Sequence, residues 1–423
     1  MNTKRYIYWL MTGVLAITGL ATTSCEDEPD KYEIAGGKPT VYYVRSPYLS
    51  QKDSLLTGAY MGNTICLVGD NLRSITELWF NDQQAVLNTS FITDHTLLVD
   101  VPNELPEVPT DKIYMITQGK DTVEYDFSVL IPQPTVTSIS NEFAVAGETA
   151  TIYGDYLLSY DNAPLSLTLP GGIEVTDFES ITKTAISFII PAEATEPGYI
   201  YVTSKYGTGK SKFYFRDDRN ILFDFDGKGD ALAGGNGWRA GNVRNDEHSI
   251  DGGYLYLGGA KLNGGFGASW EEDAFCMNYW PGTKLSDIPT MKAMLDKYSL
   301  SDLQMKFEVQ VPSASPWMAH AMQIMLTTAD MANTNSYYGE TTLPRALWMP
   351  WQQSGSYDTA DKWVTISVPL SNFNKCNDGT SCATALTVDN IAGLTLFVWH
   401  GGVDGQDCSP EFYIDNIRIV PVE

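Results

Sequence analysis

Positive charge is scarce in this chain. Lys and Arg number 27 against 52 Asp and Glu, for a net charge of −25. No basic patch stands out, which argues against nucleic acid, anionic polysaccharide or an acidic membrane surface as the main partner. The balance suits a neutral ligand, and equally solubility alone. Histidine is rarer still, with four residues, and the six cysteines include no CxxC pair and no Cys/His set at zinc spacing. Metal catalysis of that kind is not expected. No GxSxG elbow, phosphate-binding loop or dinucleotide fingerprint appears in a fitting context. Amphipathic helical periodicity is rare throughout, which leaves strands to build the core.

The N-terminus carries two early cations, Lys4 and Arg5, and then an apolar core from Tyr6 to Leu20. This pattern reads as a secretory signal. The run is short for a membrane span and its exit is polar. It stops at "TTSCEDEPD", residues 22–30. A leader that ends on a cysteine followed at once by acids resembles the lipoproteins of Bacteroidetes-type bacteria. In that group the acidic run after the acylated cysteine serves export to the cell surface. Glu26, Asp27 and Glu28 occupy those places, while Thr22 departs from the leucine of a strict lipobox. The resemblance implies removal of residues 1–24, a lipid on Cys25, an acidic tether over 25–38 and a surface-exposed position on the outer membrane. The competing reading is an ordinary secreted protein whose acidic linker follows a cysteine.

Setting Cys25 aside leaves Cys66, Cys276, Cys376, Cys382 and Cys408, an odd set in which at least one is free or pairs between chains. Cys376 and Cys382, in "CNDGTSC", enclose an Asn-Asp-Gly turn and could close a small surface disulfide in an oxidising compartment.

Short alternating segments such as "SLTL", "ISFII" and "YIYVTS" lie between Gly, Pro and Asn/Asp turns, as in all-β sandwiches. One pattern occurs twice. "GNTICLVGDNL" at 62–72 returns as "GETATIYGDYL" at 147–157, each preceded by a "PTV" strand start at Pro39 or Pro134. Each copy is followed by an apolar strand ending at proline, "LLVDVP" or "ISFIIP". The period of the repeat means two similar domains, over 39–131 and 132–217, and not a solenoid. The pattern resembles IPT/TIG immunoglobulin-like domains. Its glycines are expected where the backbone turns sharply and a Cβ would clash. The first copy carries an insertion, "RSPYLSQKDSLLTG", and the join "LIPQPTV" fits a stiff connection.

From about residue 218 the character changes, because Trp238, Trp270, Trp280, Trp317, Trp348, Trp351, Trp363 and Trp399 all fall in the last piece. Strands such as "DLQMKFEVQVP", "KWVTISVPL", "GLTLFVWHGG" and "EFYIDNIRIVP", with long Gly-rich loops, predict a larger sandwich of jelly-roll type over 218–423. "DIPTMKAMLDKYSL" is read as a short helix or turn. The fold class is therefore all-β, with two tandem Ig-like (IPT/TIG) sandwiches followed by a jelly-roll sandwich. This order, together with "RALWMPWQQSGSYDTADKWVTISVPLSNF" (345–373) and "EFYIDNIRIVP" (411–421), resembles the type B surface glycan-binding proteins of Bacteroidetes polysaccharide-utilisation systems, whose last domain is of xyloglucan-binding type. The resemblance implies capture of a neutral polysaccharide without chemistry. It also implies an outer-membrane transporter and its binding lipoprotein as neighbours.

A neutral glycan offers C–H faces to aromatic rings and hydroxyls to polar side chains, so exposed rings are the candidates. Tyr279 and Trp280, in "CMNYWPG" before a Pro-Gly turn, are the first choice, as the family resemblance also implies. Trp238 in "GGNGWRAGN" is either a lid over the core or a stacking ring, and Trp317 after "SASP" is similar. Tyr337 and Tyr338 occupy a polar loop, and of Trp348 and Trp351, which flank Pro350, one packs while the other faces out. Alternation makes Trp363 structural. It also places Thr395, Phe397 and Trp399 on one strand face and Leu394, Leu396 and Val398 on the other.

"DFDGKGD" at 224–230 offers Asp224, Asp226 and Asp230 to a structural calcium ion, although the closing glutamate of an EF-hand is missing. "SWEEDAF" supplies Glu271, Glu272 and Asp273 to a glycosidase reading, which needs two carboxylates flanking the bond. With so many acids in the chain, a solvated loop accounts for that cluster. An adhesin with Ig-like spacers is the remaining alternative, since aromatic-rich patches also serve protein interfaces.

Overall fold

The computed structural model describes residues 32–51, 53–226, 242–265, 272–279, 283–332 and 342–423. The chain divides at Ile131/Pro132 into two compact units.

In the first unit, one sheet orders Leu55–Leu56, Thr40–Arg45, Thr64–Asp70 and Thr96–Asp100. A second orders Gln83–Ala85, Ile75–Phe80, Lys112–Thr117 and Thr122–Asp126. Alternation is visible in Lys112–Thr117, where Ile113, Met115 and Thr117 are buried and their neighbours are not. The insertion of the first copy folds into a short 3₁₀ turn, Leu49–Gln51, and the strand Leu55–Leu56. That strand extends the first sheet by pairing with Val44 and Arg45.

The second unit begins with the other repeat. Thr135–Ile139, Thr149–Asp155, Ala185–Ile189 and Phe178–Ile181 form one of its sheets, and Ile173–Glu174, Ser166–Leu169, Tyr201–Ser204 and Gly207–Lys210 the other. The two repeats share a structural detail. In each, the first strand has a register shift, at Val41/Tyr43 and at Val136/Ser138. Gly69 and Gly154 stand opposite these bulges, and a Cβ on either would overlap the carbonyl oxygen of Thr40 or Thr135. Only glycine permits that approach of two backbones.

The last sandwich packs a six-stranded sheet against a four-stranded one. The larger runs Asn242–Arg244, Tyr254–Leu257, Phe412–Pro421, Leu303–Gln310 and Val364–Pro369, with Ile221–Phe223 also paired to Phe412–Pro421. The smaller runs Cys276–Tyr279, Gly393–Val398, Met322–Thr327 and Arg345–Trp348. Their facing sides bury Phe307, Val309, Ile324, Leu396, Ile414 and other apolar residues in one core. The expected helix forms as Pro289–Lys297, with proline at its first position, where the missing N–H costs nothing, and Met291 buried.

The second Ig-like sandwich and the last one meet in a seam whose charged residues are buried. Glu142 is buried there and binds Lys306 and Arg418 of the last sandwich, and Arg418 also binds Glu308. Thr365 Oγ1 accepts from Glu142 N at 2.7 Å and donates to Glu308 Oε1 at 2.8 Å. Phe143 enters an aromatic cluster with Tyr254, Tyr256, Trp363 and Tyr413. Trp363 is buried, as its strand position predicts, with its indole N–H donating to the His248 carbonyl at 2.9 Å.

Candidate functional site

The smaller sheet of the last sandwich has two unlike faces. In register, Cys276 lies opposite Phe397 and Asn278 opposite Thr395. Gln323 also lies opposite Phe397, and Met325 lies between Thr395 and Arg345. Directly paired residues share a face. One face therefore carries Met277, Ile324, Leu394, Leu396 and Val398 into the core. The other carries Asn278, Gln323, Arg345 and Thr395 among Cys276, Met325 and Phe397. The division of Thr395, Phe397 and Trp399 from Leu394, Leu396 and Val398 follows the alternation of the sequence.

The polar face is organised by hydrogen bonds. Arg345 Nη1 donates to Gln323 Oε1 at 2.6 Å, and Arg345 Nε donates to the Leu343 carbonyl at 3.3 Å. Gln323 Nε2 donates in turn to the Trp399 carbonyl at 2.6 Å. Trp399, half-buried, stacks on Phe397 with ring centres 5.5 Å apart and planes 17° from parallel. Beside it, His400 and His320 both adopt left-handed backbone, at φ 50° and 63°. Burial pushes the His320 imidazole below its ordinary pKa. Asn278, Gln323, Arg345 and Thr395 are themselves buried, at 0–2% exposed, so they form an internal polar network beneath Trp399, whose half-buried indole is the ring of this group with surface to cover a C–H face.

Trp348 borders a second concavity of about 390 Å³, lined with Leu347, Ser367, Asn372, Asn374 and Lys375. Its inner edge meets Trp317 and Phe307 edge-to-face, at 5.3 and 5.8 Å. Of the pair flanking Pro350, Trp348 is thus the half-exposed member. Trp351 is buried, with its indole donating to the His320 carbonyl at 2.7 Å.

Three expected platform residues are core residues. Tyr279 is 1% exposed, with its hydroxyl donating to the Thr283 carbonyl at 2.8 Å and its ring against Phe223. Trp317 has no exposed surface, and its indole is satisfied by the Ala319 carbonyl. Trp351 is the third. Each ring fills the space between the sheets and presents no face to a ligand. Trp238, Trp280, Tyr338, Asp230 and Cys25 lie outside the described residues, as do Trp270, Tyr337 and Glu271. Cys376 and Cys382 are thiols in hydrogen-bonding contact, not the expected disulfide. Their turn is closed by main-chain bonds instead, from Cys376 N to Thr380 O and from Cys382 N to Asn374 O.

Sequence reasoning from rings alone does not find Asn278, Gln323, Arg345 and Thr395. Their signal is a polar residue at alternate positions of otherwise apolar strands, in "CMNY", "MQIMLT", "RALW" and "GLTLFV".

Comparison with known proteins identifies the last sandwich. The family model for the surface glycan-binding protein B xyloglucan-binding domain matches residues 215–421. The crystal structure of a surface glycan-binding protein B from Prevotella bryantii is 38% identical, with a TM-score of 0.83, over 92% of this chain and 100% of that one. The chain belongs to the surface glycan-binding protein B family. An IPT/TIG domain-containing protein of Bacteroides ovatus is 26% identical over 219 residues, which is 48% of this chain and 43% of that protein. The chain thus aligns with less than half the length of that curated relative. Family membership makes this a glycan-binding protein with IPT/TIG-type sandwiches and a binding sandwich at 215–421.

Proposed function

We propose that this protein captures a neutral β-glucan, xyloglucan first among them, at the cell surface and passes it on unaltered. The observation that carries the ligand class is the match of residues 215–421 to a xyloglucan-binding family model. Within that segment the half-buried rings of Trp399 and Trp348 are the described candidates for stacking, Trp399 above the buried network of Asn278, Gln323, Arg345 and Thr395. The Trp348 concavity and the loop residues Trp238, Trp280 and Tyr338 extend the candidate surface. Cys25 anchors the chain by a lipid, and an outer-membrane transporter with its binding lipoprotein receives the glycan.

Affinity electrophoresis of the full mature chain through gels that contain xyloglucan, mixed-linkage glucan and an unrelated neutral polysaccharide tests the ligand. Retardation is expected with xyloglucan and lost with Trp399→Ala. Free migration through every gel sinks the proposal. Release of reducing ends from any retarding glycan would overturn its non-catalytic half. Incorporation of a fatty-acid analogue, abolished by Cys25→Ser, tests the anchor.

A further inference from the structure

The last strand of the binding sandwich buries an acid that the glycan site does not use. Asp415 has no exposed surface. Its Oδ1 accepts from the Asn416 amide at 2.7 Å, while its Oδ2 has no hydrogen bond. An ionised carboxylate buried with a bare oxygen is costly unless a positive charge meets it. Arg418, three residues on, does not supply that charge, because its Nη atoms are taken by Glu308 and Glu142.

The sheet register shows what surrounds Asp415. Along one edge of the strand Ile414 pairs with Leu255 before this step and Ile417 with Phe223 after it, while across the other edge Glu308, held by Arg418, stands opposite Asp415. The Asp415–Asn416 step therefore lies where the chain leaves the first strand through Asp224–Asp226 and where it enters the next through Asp251–Gly253. These segments touch. Asp226 Oδ1 accepts from the Gly253 amide, a Cβ on Gly252 would overlap the Asp226 carboxylate, and one on Gly253 would press on the Phe225 carbonyl. Two non-glycine residues here, Phe225 and Asn416, have left-handed backbone, at φ 57° and 50°. Strain of that kind persists where the surroundings fix it, often at ligand sites.

The geometry points to a divalent-cation site, calcium by its ligand chemistry, in which Asp415 and Asp226 are the carboxylate ligands. Calcium takes 6–8 oxygens from carboxylates, main-chain carbonyls and water in flexible geometry. No three acidic, imidazole or thiolate groups among the described residues converge as a complete set. The rest of the shell therefore falls to main-chain carbonyls, with Phe225 the nearest candidate, and to water. The run "DFDGKGD" directs attention to Asp224, Asp226 and Asp230. The structure moves the centre of the site to Asp415, almost two hundred residues away in sequence. An ion held there would tie the first and last strands of the binding sandwich together.

Calorimetric titration of calcium into the chelator-treated full mature chain, with melting temperature followed in parallel, tests the site. Saturable heat at one site and a raised melting temperature are expected, with magnesium much weaker. Asp415→Asn should abolish both, and Asp226→Asn should weaken binding by about tenfold or more. No heat and no melting shift in the wild-type chain overturns the proposal, as does a folded Asp415→Asn chain that binds calcium like wild type. If Asp415→Asn fails to fold, Asp226→Asn decides by the same criterion.

Discussion

Arg418 Nη2 donates to Glu142 Oε2 at 2.6 Å, so a buried ion pair, with Lys306–Glu142 beside it, joins the second Ig-like sandwich to the binding sandwich. Its Nη1 holds Glu308 Oε2 at 2.7 Å, and Lys306 completes a network of two acids and two cations. Removing one member of such a network leaves a buried charge without a partner. Glu142→Ala should therefore cost about 3–5 kcal/mol in chemical denaturation. A loss below about 1 kcal/mol, the value of exposed pairs, would mean that the network behaves as a solvated one.

Trp317→Ala should also destabilise the protein by about 3–5 kcal/mol, because it empties a space in the core. The near-ultraviolet circular dichroism of the binding sandwich should weaken with it. A variant that kept full stability and lost only glycan affinity would return Trp317 to the ligand surface.

Trp399→Ala, by contrast, should leave the melting temperature nearly unchanged while weakening xyloglucan binding by about 1–3 kcal/mol, on the scale of ring stacking on bases. Isothermal titration with a xylogluco-oligosaccharide would measure this. Equal affinity in the two proteins would remove Trp399 from the site.

The depressed pKa of His320 sets a direction with pH. Below the ordinary histidine value near 6.5, the unfolded chain binds a proton that the folded chain resists, so stability is present above that pH and is lost as pH falls. Melting temperatures between pH 7.5 and pH 5 should fall for the native chain and fall less for His320→Asn, in which asparagine tolerates the left-handed backbone. Parallel curves would show that another group controls the acid limb.

Gly154→Ala forces a methyl against the Thr135 carbonyl and should cost about 1–3 kcal/mol or more by overpacking. Gly69→Ala should do the same in the first repeat, as read from chemical denaturation of the whole chain. A neutral substitution at either position would mean that the bulges relax.

The repeats, the jelly-roll order and the helix at Pro289–Lys297 were legible because strand alternation, turn residues and glycine spacing act locally. The rings were harder to place. Tyr279 and Trp280 are neighbours before a turn, and sequence alone does not say that the tyrosine closes the strand Cys276–Tyr279 with its side chain inward. Trp317 follows a Ser-Pro stretch that reads as an exposed loop, yet it is held against Trp348, Tyr357 and Phe412. Such contacts join residues far apart in the chain, and no local pattern encodes them. The polar face of Asn278, Gln323, Arg345 and Thr395 was encoded, strand by strand, but its unity depends on sheet order.

The seam has a practical meaning for anyone dissecting the molecule. A cut at 217/218 follows the boundary that sequence composition draws, but it strips Glu142 and Phe143 from the binding sandwich. Such a fragment would display Lys306, Arg418 and a bare aromatic patch. It would bind acidic or apolar contaminants through a surface that the intact chain never offers. The smallest piece that preserves the native surface begins at Pro132.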